Sequence, residues 1–346
     1  MKKLLALILT GALSLSLVAC TQPAASSESV STATSEASSS SESEATSEAT
    51  SEATSETQIV TVTNAEGEPI DVEFPTNIER VVVLNHQTMD FLDAVGMADK
   101  VVGYLGAAAS TPEHLKKYTE DENITNVGGM KDPDMEAIMS LEPDVIFISD
   151  RIESMYDEFS KIAPTMASYV NYKIGFMEGY KELAKKHGQI FGVKNEVDDI
   201  IAGYETRIAA IDEFAADQTC LLGIFAGGIN TLGNTGRASI VVNEMGFTNL
   251  AGDKNVNHGN LSSYEAWLEL NPDWMFILDK DTAVGTEAVA AKEQMEVNNP
   301  VIAETNAFKN GQIVYLEPGA AWYVADGGIT SLDLMISNIE TGIGLK

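Results

Sequence analysis

One stretch of the chain occurs twice, and it limits the possible folds more than any other feature. Residues Glu136 to Arg151 align without a gap on Glu265 to Lys280, at a constant offset of 129. Each copy opens with apolar residues three and four apart, as in a short helix. It breaks at Pro143 or Pro272, and then runs apolar from Val145 to Ile148 or from Trp274 to Leu278. A residue before proline is pushed out of the helical region, so each copy reads as helix, break, buried strand. The same unit used twice predicts two lobes of similar α/β topology, and 346 residues suffice for both.

Further apolar runs extend the pattern. Ile59–Thr63 and Ile70–Phe74 flank a turn at Gly67, and Val81–Leu84, Val101–Tyr104, Leu221–Phe225 and Ile313–Leu316 lie between helical stretches. Short apolar runs of this kind are expected of mostly parallel sheets covered on both faces. Phe176, Met177, Tyr180, Leu183 and Ala184 fall at helical spacing between the halves and predict a long interlobe helix over residues 173–194. The expected lobes are then residues 58–172 and 195–346.

The first 57 residues do not fit a folded core. Met1-Lys2-Lys3 and the apolar run Leu4 to Ala19 form a signal peptide, too short to span a bilayer. Leu17-Val18-Ala19-Cys20 resembles the bacterial lipobox, which implies that Cys20 becomes a lipidated first residue on the extracytoplasmic face of the cell membrane. Residues 20–57 continue as Ser, Thr, Ala and Glu with no Lys or Arg, including three copies of Ala-Thr-Ser-Glu between 45 and 56, and predict a disordered tether.

Charge narrows the function. Fifty-two acidic against 21 basic residues give a formal charge of −31, which repels phosphate backbones and excludes nucleic acid as a partner. In so acidic a chain, cations beyond the ends of buried strands mark a ligand, because open α/β sheets bind ligands at the carboxyl ends of their strands. Arg151 and Lys280 hold equivalent places after the two repeat strands, and Arg237 sits in the glycine-containing turn Gly233 to Ser239. Together they predict an anionic ligand in an interlobe cleft.

His86 follows the Val81–Leu84 run and could line the cleft, whereas His114 and His187 sit among charged residues and read as surface positions. His258 lies in a polar loop before the second repeat helix. Trp322-Tyr323 precedes Gly327-Gly328 and suits a ligand wall; a phenol can stack on an aromatic ligand or bind ferric iron. No nucleophile elbow, zinc-protease pair or dinucleotide fingerprint occurs, so nothing nominates an enzyme.

The chain resembles the lipid-anchored substrate-binding proteins of ABC importers for ferric siderophores and cobalamin, especially the binders of catecholate siderophores. The resemblance spans residues 58–346. It rests on Arg80–Leu84 with Asp90–Gly96, Val127–Met130, Pro143–Arg151 with Ile162–Thr165, Gly236-Arg237, His258-Gly259, and Tyr315–Pro318 through Gly328. It implies a periplasmic-binding-protein-like fold with one long interlobe helix, a shallow cleft and little closure. Arg151 and Arg237 would face an iron-catecholate with Lys280 beside them. His258 and Tyr323 would complete iron coordination when the siderophore supplies four of six donors. Glu136 and Glu265, one per lobe, would dock on the permease. No intrinsic cofactor is implied, since ferric iron arrives with the siderophore, and a monomer is expected. Haem, a corrinoid or a hydroxamate siderophore on the same scaffold is the nearest alternative; a lipid-anchored enzyme or an adhesin is more distant.

Overall fold

The structure, a computed structural model, describes residues 56–64, 68–252, 263–286 and 289–346. Strands β1 (Thr57–Thr63) and β2 (Pro69–Pro75) pair antiparallel as a separate two-stranded ribbon. The N-terminal lobe is built on β3 (Val81–Leu84), β4 (Val101–Tyr104), β5 (Thr125–Asn126), β6 (Val145–Ile148) and β7 (Thr165–Ala167). They form one parallel sheet in the order β5-β4-β3-β6-β7. All residues of β3 and β6 are buried, as expected of central strands covered on both faces.

The C-terminal lobe uses β8 (Thr219–Phe225), β9 (Ile229–Leu232), β10 (Thr248–Asn249), β11 (Trp274–Asp279) and β12 (Ile313–Tyr315). Its parallel path is β10-β8-β11-β12, and β9 turns back antiparallel on β8 through Gly227 at φ 67°. The sequence reading of mostly parallel sheets holds. It missed β5, β7, β9 and β10, each of which carries a Thr or Asn and lacks the continuous apolar run that marked β3 and β6.

The repeat is structural as well as textual. Asp134 and Ser263, again 129 apart, cap the two short helices (Met135–Ser140 and Tyr264–Leu270) by accepting from the amides of Ala137 and Ala266. Each helix is followed by a residue at positive φ, Glu142 at 44° and Asn271 at 45°, which turns the chain into the Pro-Asp step. The aspartates then tie neighbouring strands. Asp144 accepts from the amides of Glu79 and Arg80, just before β3, and Asp273 accepts from the amide and hydroxyl of Thr219, at the start of β8. Each motif thus caps a helix, reverses the chain and aligns the strand beside it.

The long interlobe helix is Lys194–Ala215, not residues 173–194. Gly175 at φ 95° precedes a separate helix, Phe176–Ile190, and Gly192 at φ 72° breaks the chain before the next begins. The helix Phe176–Ile190 belongs to the N-terminal lobe: Gln58 Nε2 donates to Ile190 O, and the His187 ring packs 4.8 Å from Phe91 and 5.2 Å from Phe147. His187 is therefore a core residue, only 1% exposed, rather than a surface one. The 22-residue helix Lys194–Ala215 buries Val197, Ile201, Tyr204, Ile208, Ile211 and Ala215 and leads into β8.

The final helix, Ile329–Gly342, returns to the N-terminal lobe and packs on the helix His86–Ala94. Its first turn is held by Asp90, a wholly buried carboxylate that accepts from Thr330 N (2.6 Å), Ser331 N (3.0 Å) and Ser331 Oγ (2.6 Å). His114 Nε2 lies 2.8 Å from the same carboxylate. Tyr204 donates to Ile329 O, which joins the helix Lys194–Ala215 to the first turn of the final helix. Cys220 is a free, buried thiol whose pKa burial drives up. Among the described residues no helix is long and apolar enough to cross a membrane.

Candidate ligand-binding cleft

The carboxyl edge of the N-terminal sheet opens on a cavity of about 380 Å³. Asn85, Ser149 and Ser168, the residues directly after β3, β6 and β7, line it, followed by the turns carrying Asp150, Arg151 and Glu153 and then Tyr169 to Lys173. The C-terminal lobe closes it with Arg237, Tyr323, Val324 and Asp326. This is the expected location, beyond strand ends and between lobes.

Arg151 projects from the turn Asp150–Met155 directly after β6 and is exposed. Arg237 is placed by a tight reversal, with Gly236 at φ 81° and Ala238 at φ 62° on either side. Its guanidinium carbon lies 4.3 Å from the centroid of the Tyr323 ring, and its Nε donates to Tyr323 O at 3.3 Å. A cation over an aromatic face is held in place while its N–H fork stays free to bind.

Behind these residues Asp326 joins the lobes. It accepts from Gln87 Nε2 at 2.9 Å and from the Tyr172 hydroxyl. Burial raises its carboxyl pKa, and the Tyr172 hydrogen bond and the Arg237 charge oppose that rise. Burial, and then the nearby Asp326 charge, push the Tyr172 phenol well above its ordinary value. Tyr169 donates to Glu153 at 2.7 Å across the cleft floor.

Arg151, Arg237 and Tyr323 therefore meet at one cavity, as the sequence reading anticipated. Three other expected lining residues do not. Lys280 is not among those lining the cleft, because β11 runs two residues longer than β6 and Lys280 opens a short helix capped by Asp279 instead of reaching a turn. His86 is 1% exposed, with Nδ1 2.6 Å from the Tyr104 hydroxyl, and burial holds its pKa down to about 4. Trp322 is also 1% exposed and belongs to the core, while its neighbour Tyr323 faces the cleft. The third cation at the cavity is Lys173, which no repeat or glycine turn marked in the sequence. The acids Asp150, Glu153 and Asp326 sit among the three cations, so the lining is mixed in charge rather than uniformly positive.

His258 and Cys20 lie outside the described residues. Glu136 and Glu265 are both exposed, each the second residue of its repeat helix. Among the described residues no group of three or more His, Cys, Asp or Glu side chains could hold a metal ion.

A two-lobed α/β chain with strand-end turns facing one cleft also matches a known family model, periplasmic binding protein, over residues 81–320. This chain belongs to that family. The periplasmic binding protein described here is 33% identical over 276 residues to the petrobactin-binding protein YclQ of Bacillus subtilis, across 78% of this chain and 84% of YclQ. Among solved structures it is similar to the catecholate-siderophore binding protein VctP of Vibrio cholerae, with a TM-score of 0.72 and 27% identity over 82% of this chain and all of VctP. It is similar, too, to the iron uptake ABC transporter substrate-binding protein PiuA of Streptococcus pneumoniae, with a TM-score of 0.73 and 28% identity over 83% and 99% of the two chains.

Proposed function

We propose that this chain captures a ferric siderophore, of catecholate type, in the interlobe cleft and delivers it to an ABC importer. The observation that carries the reading is the convergence of Arg151 and Arg237, from opposite lobes, on one cavity in a protein of net charge −31. Guanidinium groups pair bidentately with anionic oxygens, and an iron-catecholate presents several. Relatives named for petrobactin, for catecholate siderophores and for iron uptake support the same cargo. Binding and release are the whole of this chemistry, so the chain acts as a carrier.

Several finer assignments belong to the same proposal. Tyr323 at the cleft and His258 would supply the last two iron donors when the siderophore provides four. Glu136 and Glu265 would meet the permease at equivalent points of the two lobes. Lipid on Cys20 would hold the protein, as a monomer on its tether, at the outer face of the membrane.

Titration of the chain lacking residues 1–19 with ferric and iron-free catecholates, hydroxamates, haem and cobalamin tests the cargo. Tryptophan emission is the readout, since Trp322 is the chain neighbour of Tyr323. Submicromolar quenching by ferric catecholates alone is expected. Binding of haem or cobalamin alone would keep the carrier role and overturn the catecholate assignment.

A further inference from the structure

The parallel register sets three polar residues in a row along the cleft floor. Leu84 pairs with Ile148, and Ile148 with Ala167, so the next residues, Asn85, Ser149 and Ser168, stand side by side at the carboxyl edge. Neighbouring strands lie about 4.8 Å apart, which places adjacent side chains within reach of one small group. Ser168 is already committed, to Thr88 Oγ1 at 2.6 Å and His187 Nε2 at 3.0 Å. The other two are not. Asn85 is 4% exposed and Ser149 5%, both line the cavity, and Asn85 Nδ2 and Ser149 Oγ have no hydrogen-bond partner. Gln87 also lines the cavity, and its Oε1 is buried and unpartnered as well.

Their orientations are determined by neighbours. Asn85 Oδ1 accepts from Thr88 N at 2.7 Å as the cap of the helix His86–Ala94, which leaves its amide N–H groups for another acceptor. Gln87 Nε2 donates to Asp326, which leaves its carbonyl oxygen for another donor. The floor therefore offers two donors and one acceptor, all neutral, beside the charged guanidinium groups. Buried polar groups left unpaired cost stability, and a site built from them discriminates by the partner that satisfies them.

We infer that this floor reads a secondary amide in the backbone of the ligand, with Asn85 Nδ2 and Ser149 Oγ donating to its carbonyl and Gln87 Oε1 accepting from its N–H. The inference rests on the cleft being a ferric-siderophore site and adds a second recognition element to it. The arginines read the charge of the iron chelate, and the floor reads the linker that joins the chelating rings.

A matched pair of iron(III) chelates tests this. Both carry two catechols; in one the rings are joined to a diamine as 3,4-dihydroxybenzamides, and in the other methylene groups replace the amides. The 3,4 arrangement keeps the amide N–H away from the chelating oxygens, and iron donors and catecholate charge stay the same. The wild-type protein is expected to prefer the amide chelate about tenfold, the worth of one or two neutral hydrogen bonds. In the double variant Asn85→Ser, Ser149→Ala the preference falls to near unity, because serine keeps a capping oxygen at position 85 but its hydroxyl, one bond shorter than the Asn85 amide, is set back from the ligand, and the Ser149 hydroxyl is removed. Ser149→Ala alone leaves the cap untouched and lowers the preference part of the way. A wild-type preference below twofold, or a preference that survives the double variant, overturns the amide floor with the carrier role intact. Failure of the wild-type protein to bind either chelate overturns the cargo reading and the floor together.

Discussion

At the scale of single residues, the two arginines of the cleft are held differently. Arg237 is braced by the Tyr323 ring and carbonyl, whereas Arg151 is exposed on its turn, so the two arginines enter a complex from different starting points. A hydrogen bond to a charged group is worth about 1.5–3 kcal/mol. Arg151→Ala with Arg237→Ala is thus expected to weaken ferric-catecholate binding at least about 100-fold, read by tryptophan quenching, and unchanged affinity would remove both from the site. That these two residues and Tyr323 share one cavity was legible because strand ends and glycine turns gather at the carboxyl edge of an α/β sheet. Lys173 was not, since its place depends on how the turn Tyr172–Ile174 folds over the cavity. His86 misled for the opposite reason. It stands one residue after the polar row, and its ring goes into the core against Tyr104.

At the scale of elements, the repeated helix, proline turn and strand is the organising unit, and its capping residues recur at the same offset as its sequence. The two repeat helices expose Glu136 and Glu265 at matching positions. Replacing both by Ala is expected to leave siderophore affinity unchanged and to lower uptake in cells; uptake at the wild-type rate would refute the docking role. The final helix presents a different test. Asp90 satisfies two backbone amides and a hydroxyl of its first turn, and Gly328 leaves the room it needs, since a Cβ there would fall 2.3 Å from Asp90 Cγ. Asp90→Ala strands buried donors and is expected to cost about 3 kcal/mol in urea unfolding, with the His114 pair lost as well. A loss under about 1 kcal/mol would show that the helix is held by packing alone.

At the scale of the whole molecule, acid sensitivity follows from the buried imidazoles. Burial lowers His86 to about 4 and His187 to about 3, below the ordinary value of 6.5. Between those values and 6.5 the unfolded chain binds more protons than the folded one, so stability falls as pH drops through that window. Asp326, raised by burial, contributes the opposite slope. The loss between pH 7 and pH 5 is expected to shrink by about 2 kcal/mol in His187→Gln, measured by urea unfolding at both pH values. An unchanged slope would show that His187 takes up its proton without unfolding. The two lobes are also joined by contacts distant in sequence, Asp90 to Ser331, Tyr172 and Gln87 to Asp326, and Tyr204 to Ile329.

The sequence alone determined the two-lobe α/β plan, the parallel strands, and two of the three cations that line the cavity among the described residues, because each is written locally in apolar runs, a duplicated motif and scarce basic residues. The tertiary structure decided where the chain crosses between lobes, since Gly192 ends one helix and the packing of its buried face assigns that helix to the first lobe. It also decided which side chains share the cleft. Strand length swung Lys280 away, burial claimed Trp322 and His86, and parallel register brought Asn85 beside Ser149. Residues 64 apart in sequence become neighbours only once their strands pair, and that pairing is a property of the sheet rather than of either segment.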